Sequence, residues 1–509
     1  VKSDALQLLR NGQSVSLDAV PLHGLESFRE MIVSKVKKNA RIASFFGVPL
    51  ARLTASAAGD KIRLFAVLAL DAQGELAVLA SEAATAYRAL TPECPQAHWF
   101  EREIYEQWRV KPEGHPWLKP IRFHASVRPG AKAERPEIGV TDFFQVTGAE
   151  MHEVAVGPVH AGIIEPGHFR FQCHGENTHH LEISLGYQHR GIEAALVGGP
   201  NKRTLHYMET LAGDATVGHA VAYAMLLEAL SGVEISQTAE AIRGMGLELE
   251  RLANHVGDLG ALAGDIGFLP TQAYCGRIRG DFLNMSALIC GNRFGRGLVV
   301  PGGVRFGLDQ MRQAQLCARL RQGAADTASA VNLLWRSASV MARFEDTGRI
   351  SLENANALGL VGPAARASGA DRDVRRDFPV GVYAASRPAV AVAETGDVLA
   401  RAQVRQTEIT HSIAFVLEQA ANLKVDGSLR LAPGPVAPKR LAVSLVEGWR
   451  GEICHVALTD EDGRFAGYKV VDPSFHNWFG LALAMRNQPI SDFPLCNKSF
   501  NLSYCGHDL

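Results

Sequence analysis

Apolar and polar positions change their period several times along this chain, and each change marks a predicted element. Between residues 27 and 123, short apolar runs alternate with helical spacing. Residues 61–69 and 75–80 read as neighbouring strands about a turn at 71–74, and a helix precedes them over 25–39. This predicts a small α/β domain over residues 1–127. The text RPGAKAERPE at 128–137 then brings proline, glycine and charge with few apolar anchors, which predicts a linker over 128–150.

From 153 to 174 the alternation is again that of strands, and from Ala194 the period becomes helical. Residues 221–230 and 239–263 carry apolar side chains three and four apart, with Ser236 as an N-cap. Residues 310–344 and 397–423 are two more long helical patterns, the first with a break expected at Gly323. Four long helices with short connections predict a bundle core. Strand text returns at 440–445, 453–459 and 465–471, before a last helix at 476–485. The fold class is therefore α+β: a small N-terminal α/β domain, then a large domain over 151–509 with a long-helix bundle core and flanking β-sheets.

Composition adds exclusions. The 509 residues are 47% apolar and 21% charged, enough for more than one core. With 52 Lys plus Arg against 53 Asp plus Glu, no global field draws the chain to nucleic acid or acidic lipid. No apolar run approaches the roughly 20 residues of a spanning helix, and no basic-then-apolar leader is visible. The expectation is a soluble or peripheral protein facing the cytoplasm. The eight cysteines are scattered without a C-x-x-C pair, so most read as reduced, buried thiols.

Specific motifs narrow the reading. The stretch EREIYEQWRVKPEGHPWL at 101–118 resembles the signature of the small hydrophilic subunit of respiratory complex I, with Val110 for a glycine and Trp117 for an aspartate. Read without the resemblance, Glu101, Arg102 and Glu103 are a solvated helix face and Gly114-His115-Pro116 a turn. Seven further motifs follow in order: GPVH at 157–160, EPGHFR at 165–170, GYQHRGIE at 186–193, ELERLANH at 248–255, PGGV at 301–304, VEGWRGE at 446–452 and DPSF at 472–475. They resemble those of group 4 NiFe hydrogenase large subunits and the quinone-site subunit of complex I. The fusion of both parts in one polypeptide resembles the large subunits of formate hydrogenlyase and hydrogenase-4.

In that hydrogenase family four cysteine thiolates hold nickel and iron, because soft donors stabilise those metals where hydroxyls and methyls cannot. The corresponding positions here are Ala212, Ala215, Ser503 and Gly506. Cys496 and Cys505 lie near the second pair but out of register. The resemblance therefore implies no nickel–iron chemistry and no cofactor in this chain. It implies a cavity open to a quinone, with His160, His168, Asp214 and His219 as candidate contacts, and Glu165 as a candidate proton relay. For Glu165 the structural alternative is a tie to Arg170. For His189, Arg190 and Glu193 a buried ion network is favoured, and Glu250, Arg251 and His255 are placed inside the bundle. Arg366, Arg372, Arg375 and Arg376 read as a solvated basic face or a contact for an acidic partner.

By resemblance, the chain is expected on the cytoplasmic face of the inner membrane, held there by partners. These are a small subunit carrying a 4Fe–4S cluster, and complex I-like membrane-arm and antiporter-like subunits. The implied function is an oxidoreductase subunit coupling electron transfer to proton or ion movement, with quinone as a candidate acceptor. The competing expectation is a non-catalytic scaffold or regulatory subunit of an ion-translocating complex.

Overall fold

The computed structural model describes residues 5–54, 60–128, 130, 135–161, 164–424 and 427–509. Part of the expected linker, 129 and 131–134, lies outside the described residues; its described remainder carries no helix or strand before Met151.

The first sheet runs Gln7–Leu9, Glu75–Ala83, Ile62–Leu70, Arg41–Pro49, all antiparallel neighbours, with Leu22–His23 added parallel to Glu75–Ala83. The strand text IRLFAVLAL is almost continuously apolar because both faces are covered and seven of its nine residues are buried. The helix Leu25–Lys37 packs on the sheet, and so does the helix His98–Trp108. Gly47 allows that second approach: a Cβ there would stand 2.7 Å from Ile62 and 3.0 Å from Trp108.

A second sheet is ordered Phe465–Val471, Gly451–Thr459, Arg440–Gly448, Gln13–Ser16. Its outer strand comes from the start of the chain, with Ser16 opposite Arg440 and Gln13 opposite Val443. Residues expected in the first domain thus complete a sheet of the second. One apolar core runs from Ile32 and Phe45 through Leu441, Val443 and Leu445 to Trp478 and Tyr504. The joint is also ionic, since Lys469 Nζ of the second sheet bonds Glu103 Oε1 at 2.6 Å, and Arg122 pairs with the same carboxylate. Glu101, Arg102 and Glu103 are consequently buried, which overturns the solvated-face reading. Their partners are Leu90 and Thr91 for Glu101, and the carbonyls of Lys119 and Pro120 for Arg102.

The helical core contains Thr216–Ser231, Gln237–Asp265, Leu269–Cys290, Gln310–Trp335 and Val398–Asn422. Ser236 and Asp397 cap their helices as side-chain acceptors, from Ala239 N and Ala400 N. The helix Leu269–Cys290 escaped the periodicity reading because Gly276, Gly280 and the exposed Tyr274 interrupt its apolar stripe. The break expected at Gly323 falls instead after Trp335, and Ala338–Phe344 follows as a separate helix. Gly323 serves packing: a Cβ there would meet Phe282 at 3.1 Å. Among the described residues, no helix is long and apolar enough to cross a membrane.

Candidate functional site

The four positions expected to carry thiolates converge, and each is closed in its own way. Ala212 and Ala215 are buried against Trp449, with Cys505 at the edge of the same apolar cluster. Ser503 caps the terminal turn by accepting from Gly506 N at 2.9 Å. A Cβ on Gly506 would lie 2.7 Å from Asp472 Cγ. No thiolate stands at any of these positions and Gly506 has no room for one, so they do not fit a nickel–iron centre. Among the described residues, no group of three or more His, Cys, Asp or Glu side chains is arranged to hold a metal.

Arg450 fills the space between the two pairs. Its guanidinium makes a bidentate pair with Asp214 at 2.6 and 2.7 Å, donates to Asn501 O at 2.5 Å and stacks over Trp449 at 3.9 Å. Asp214 is partly open to solvent and leaves Gly213 exposed beside it. One cation is thereby neutralised by the segment that carries Ala212 and Ala215 and tied to the segment that carries Ser503.

A buried ion network holds the turn that presents Trp449 and Arg450. Arg251 donates to the carbonyls of Glu447 and Gly448 at 2.7 and 3.0 Å. Arg366 joins Glu447 at 2.8 Å to Glu408 at 2.6 Å, and Glu408 accepts from His255 Nε2 at 2.7 Å. Glu248 accepts from Arg251, Arg375, Tyr383 and Ser412. Burial pushes the Glu248 carboxyl up, but Arg251 and Arg375 outweigh it and hold the group at about 2. Arg366 and Arg375 are buried, so these two leave the expected basic surface face. The acidic partners they meet are within the chain.

His219 lies inside the first helix turn after Ala215, with no exposed surface. Its Nε2 lies 3.1 Å from Asp472 Oδ2 and its Nδ1 lies 3.0 Å from His455 Nε2. Asp472, which His219 holds, also feels the charge of Arg450. Glu165 reaches the other pair: its Oε2 accepts from Tyr504 N at 3.1 Å, and burial, then the charge of Glu165, push the neighbouring Cys505 thiol up to about 12. The alternative reading of Glu165, a tie to Arg170, is not what the structure shows: Arg170 pairs instead with Glu153 at 2.5 Å. His160 lies in this loop and His168 opens the strand after it; both bond local backbone, His160 to Gly167 O at 2.9 Å and His168 to Gly157 O at 3.2 Å, and His168 Nε2 also accepts from Arg170 at 3.3 Å. A cavity of about 490 Å³ lies elsewhere, lined by Val221, Met225, Glu240, Tyr383 and Glu447. A recess of about 20 Å³ includes Gly213, Asp214 and Glu250. Neither takes in His160, His168 or His219.

Of the residues singled out in the GYQHRGIE stretch, Glu193 pairs with Lys469 at 2.9 Å, Arg190 donates to the carbonyls of Thr210 and Leu211, and His189 stacks on His124. Arg190 thus steadies the loop before Ala212. Glu250 is a group whose chemistry the helix pattern hid. It accepts from Val217 N and Gly218 N at 2.7 and 3.2 Å, at the start of the helix Thr216–Ser231. Burial nevertheless raises it to about 8, with Asp214 adding to the effect against those two donors. His455 and Tyr468 were also missed, because in strand text a single polar residue among apolar ones reads as edge decoration.

Comparison with known proteins identifies the chain's relatives. The sequence profile described as Respiratory-chain NADH dehydrogenase, 49 Kd subunit, matches residues 265–432, and that of the 30 Kd subunit matches residues 36–132. Formate hydrogenlyase subunit 5 of Escherichia coli is 29% identical over 437 residues, 82% of this chain and 76% of that protein. Hydrogenase-4 component G of the same organism is 29% identical over 434 residues, 82% of this chain and 75% of that protein. The D 2 subunit of the NADH-quinone oxidoreductase of Herpetosiphon aurantiacus is 30% identical over 348 residues, 67% of this chain and 94% of that protein. Those relatives and the two matched profiles place this chain in the family of the 49 kDa subunit of respiratory-chain NADH dehydrogenase and its membrane-bound hydrogenase relatives, with a 30 kDa-type domain in the same polypeptide.

Proposed function

We propose that the chain is a subunit of a membrane-associated, hydrogenase-related and complex I-like oxidoreductase, in which it couples electron transfer by its partners to proton or ion movement. It does so without nickel–iron chemistry of its own. The observation that carries this reading is the closed polar site beside the four vacated positions, with Arg450 held between Asp214 and Asn501 and Asp472 set against Gly506. A chain kept only for its shape would be free to fill that space with apolar side chains, since replacing buried ion pairs by hydrophobes is often neutral or stabilising. Here the groups that border the vacated positions, Arg450, Asp214 and Asp472, are charged or protonatable.

In this reading the chain supplies proton-accepting groups around the loop 212–215 and the terminal turn. Glu165 lies beside Cys505 at the edge of the site, and Glu250 lies behind Asp214. The electron carrier is a 4Fe–4S cluster in a small partner subunit, and antiporter-like subunits lie in the membrane on the cytoplasmic side of which this chain docks. A quinone headgroup, if it is the acceptor, would meet the exposed backbone at Gly213 and the partly open Asp214. His219 would act only through Asp472.

The test is purification of the tagged full-length chain from gently solubilised membranes, with partners identified by mass spectrometry and cluster content by electron paramagnetic resonance. Recovery with an iron–sulfur subunit and membrane subunits supports the reading. Recovery with membrane subunits but a partner that has lost its cluster would convert the chain to a scaffold.

A further inference from the structure

Four buried side chains form one unbroken hydrogen-bonded line ending at the closed site. Tyr468 Oη lies 2.8 Å from His455 Nδ1, His455 Nε2 lies 3.0 Å from His219 Nδ1, and His219 Nε2 lies 3.1 Å from Asp472 Oδ2. The exposures are 5%, 0%, 0% and 1%, so water does not reach the inner groups. The line is built by strand alternation: His455 and Tyr468 stand on the face of the second sheet turned toward the helix Thr216–Ser231, which contributes His219 one turn from its start. Asp472 ends the strand and caps the next helix, its Oδ1 accepting from Ser474 N at 2.8 Å.

With both imidazoles neutral, the chemistry of the pairs fixes the direction of every hydrogen. A carboxylate only accepts, so His219 Nε2 carries a hydrogen and its Nδ1 carries a lone pair. His455 Nε2 must then donate to it, and His455 Nδ1 must accept from the Tyr468 hydroxyl. Tyr468 also lines a cleft of about 80 Å³ between the two parts of the chain, together with His124, His189, Glu193 and Lys469. The other titratable groups facing the line are Arg450 and His476 at Asp472, and Tyr223 and Cys454 at Tyr468.

We propose that Tyr468, His455, His219 and Asp472 form a proton relay between the interdomain cleft and the closed site beneath Arg450. One proton arriving from water in the cleft at Tyr468 Oη displaces that hydroxyl's hydrogen to His455 Nδ1. The hydrogen on His455 Nε2 passes to His219 Nδ1, and the hydrogen on His219 Nε2 passes to Asp472. The line then holds one more proton, all four groups are neutral, both imidazoles have exchanged tautomer, and no electron has moved. The added proton then rests on Asp472 beside Arg450, and the reverse transfers, back along the line to water in the cleft, restore the anionic carboxylate and both starting tautomers. This deepens the function proposed above by naming its proton-handling groups, and its test reads this chain alone, so failure of one does not entail failure of the other.

The experiment is nitrogen-15 NMR of the full-length chain labelled at histidine, with His219 and His455 assigned from His219→Gln and His455→Gln. In the parent protein both rings are protonated at Nε2. In Asp472→Asn the amide oxygen stays on Ser474 N, so the amide nitrogen faces His219 Nε2 and donates to it. The relay then requires both rings to switch, with the protonated resonance moving from Nε2 to Nδ1 at His455 as well, although His455 does not touch residue 472. A switch confined to His219 overturns the proposal. Tyr468→Phe gives an independent arm that removes one oxygen and keeps the ring. Exchange of the His455 Nε2 hydrogen with solvent deuterium slows at least tenfold if Tyr468 is the entry, and an unchanged rate overturns it.

Discussion

Gly506 and Asp472 are in mutual contact across the site, and a Cβ on Gly506 would lie 2.9 Å from either carboxylate oxygen. Asp472 cannot move aside cheaply, because Ser474 N and His219 both hold it. Gly506→Cys is therefore an overpacking change in a buried turn, expected to lower stability by about 1–3 kcal/mol. Ser503→Cys keeps the position's volume close and loses mainly the cap, about 0.5–2 kcal/mol. Thermal unfolding of the two variants side by side checks the order, with Gly506→Cys expected to be the less stable.

Arg366 joins Glu447, which flanks Trp449 and Arg450, to Glu408 on the helix Val398–Asn422. Arg366→Ala leaves two buried carboxylates without their shared cation, which costs about 3–5 kcal/mol. The unfolding free energy from urea titration should fall by a corresponding amount, and substitution of the partly exposed Arg376, which pairs with Asp371 and Asp377 at the surface, should change it by less than about 1 kcal/mol.

Glu250 makes a signed prediction for pH. Its folded-state value, about 8, lies above that of an unfolded glutamate. The folded protein therefore binds more protons at this group, and its contribution to stability is full below the unfolded value and lost as pH rises toward 8. Glu250→Gln copies the protonated form. Its melting temperature should gain on that of the parent between pH 5 and 8, and the difference should level off above about pH 8. Asp472 runs the other way. Burial pushes it up, but the hydrogen bond from His219 and the charge of Arg450 outweigh that and hold it below its ordinary value, so its contribution is lost only in acid.

The fold was legible in the sequence wherever one residue type dominated a face. The strand text at 62–70, the cap Ser236 and the turn about residues 71–74 all follow from local chemistry. The long-range pairings were not legible: nothing in the text QSVS at 13–16 announces a partner at 440–443, because an edge strand of four residues carries no face pattern of its own. The same holds for the site. The vacated positions Ala212, Ala215, Ser503 and Gly506 could be read by register against the family's motifs. What fills the space between them could not, because Arg450, Asp214 and Asp472 meet only after three separate segments fold together. The arginines at 366 and 375 show the cost of reading charge locally, since four basic residues in eleven positions look solvated until their acids arrive from elsewhere in the chain.

A fourth prediction concerns the joint between the two parts. Lys469 bonds both Glu103 and Glu193, so Lys469→Met leaves Glu103 to Arg122 and leaves Glu193 with only neutral donors, the Val470 amide and Gln107. Limited proteolysis should then cut within 128–150 faster than in the parent, at least severalfold, while the helical core stays protected.

The most direct test of the central claim is metal content per chain, by inductively coupled plasma mass spectrometry on the complex purified from membranes, alongside its hydrogen uptake. A site closed by Ala212, Ala215, Ser503 and Gly506 predicts nickel far below one atom per chain and no hydrogen uptake or evolution. One nickel per chain, lost on substitution of Asp472 or Cys505, would contradict it.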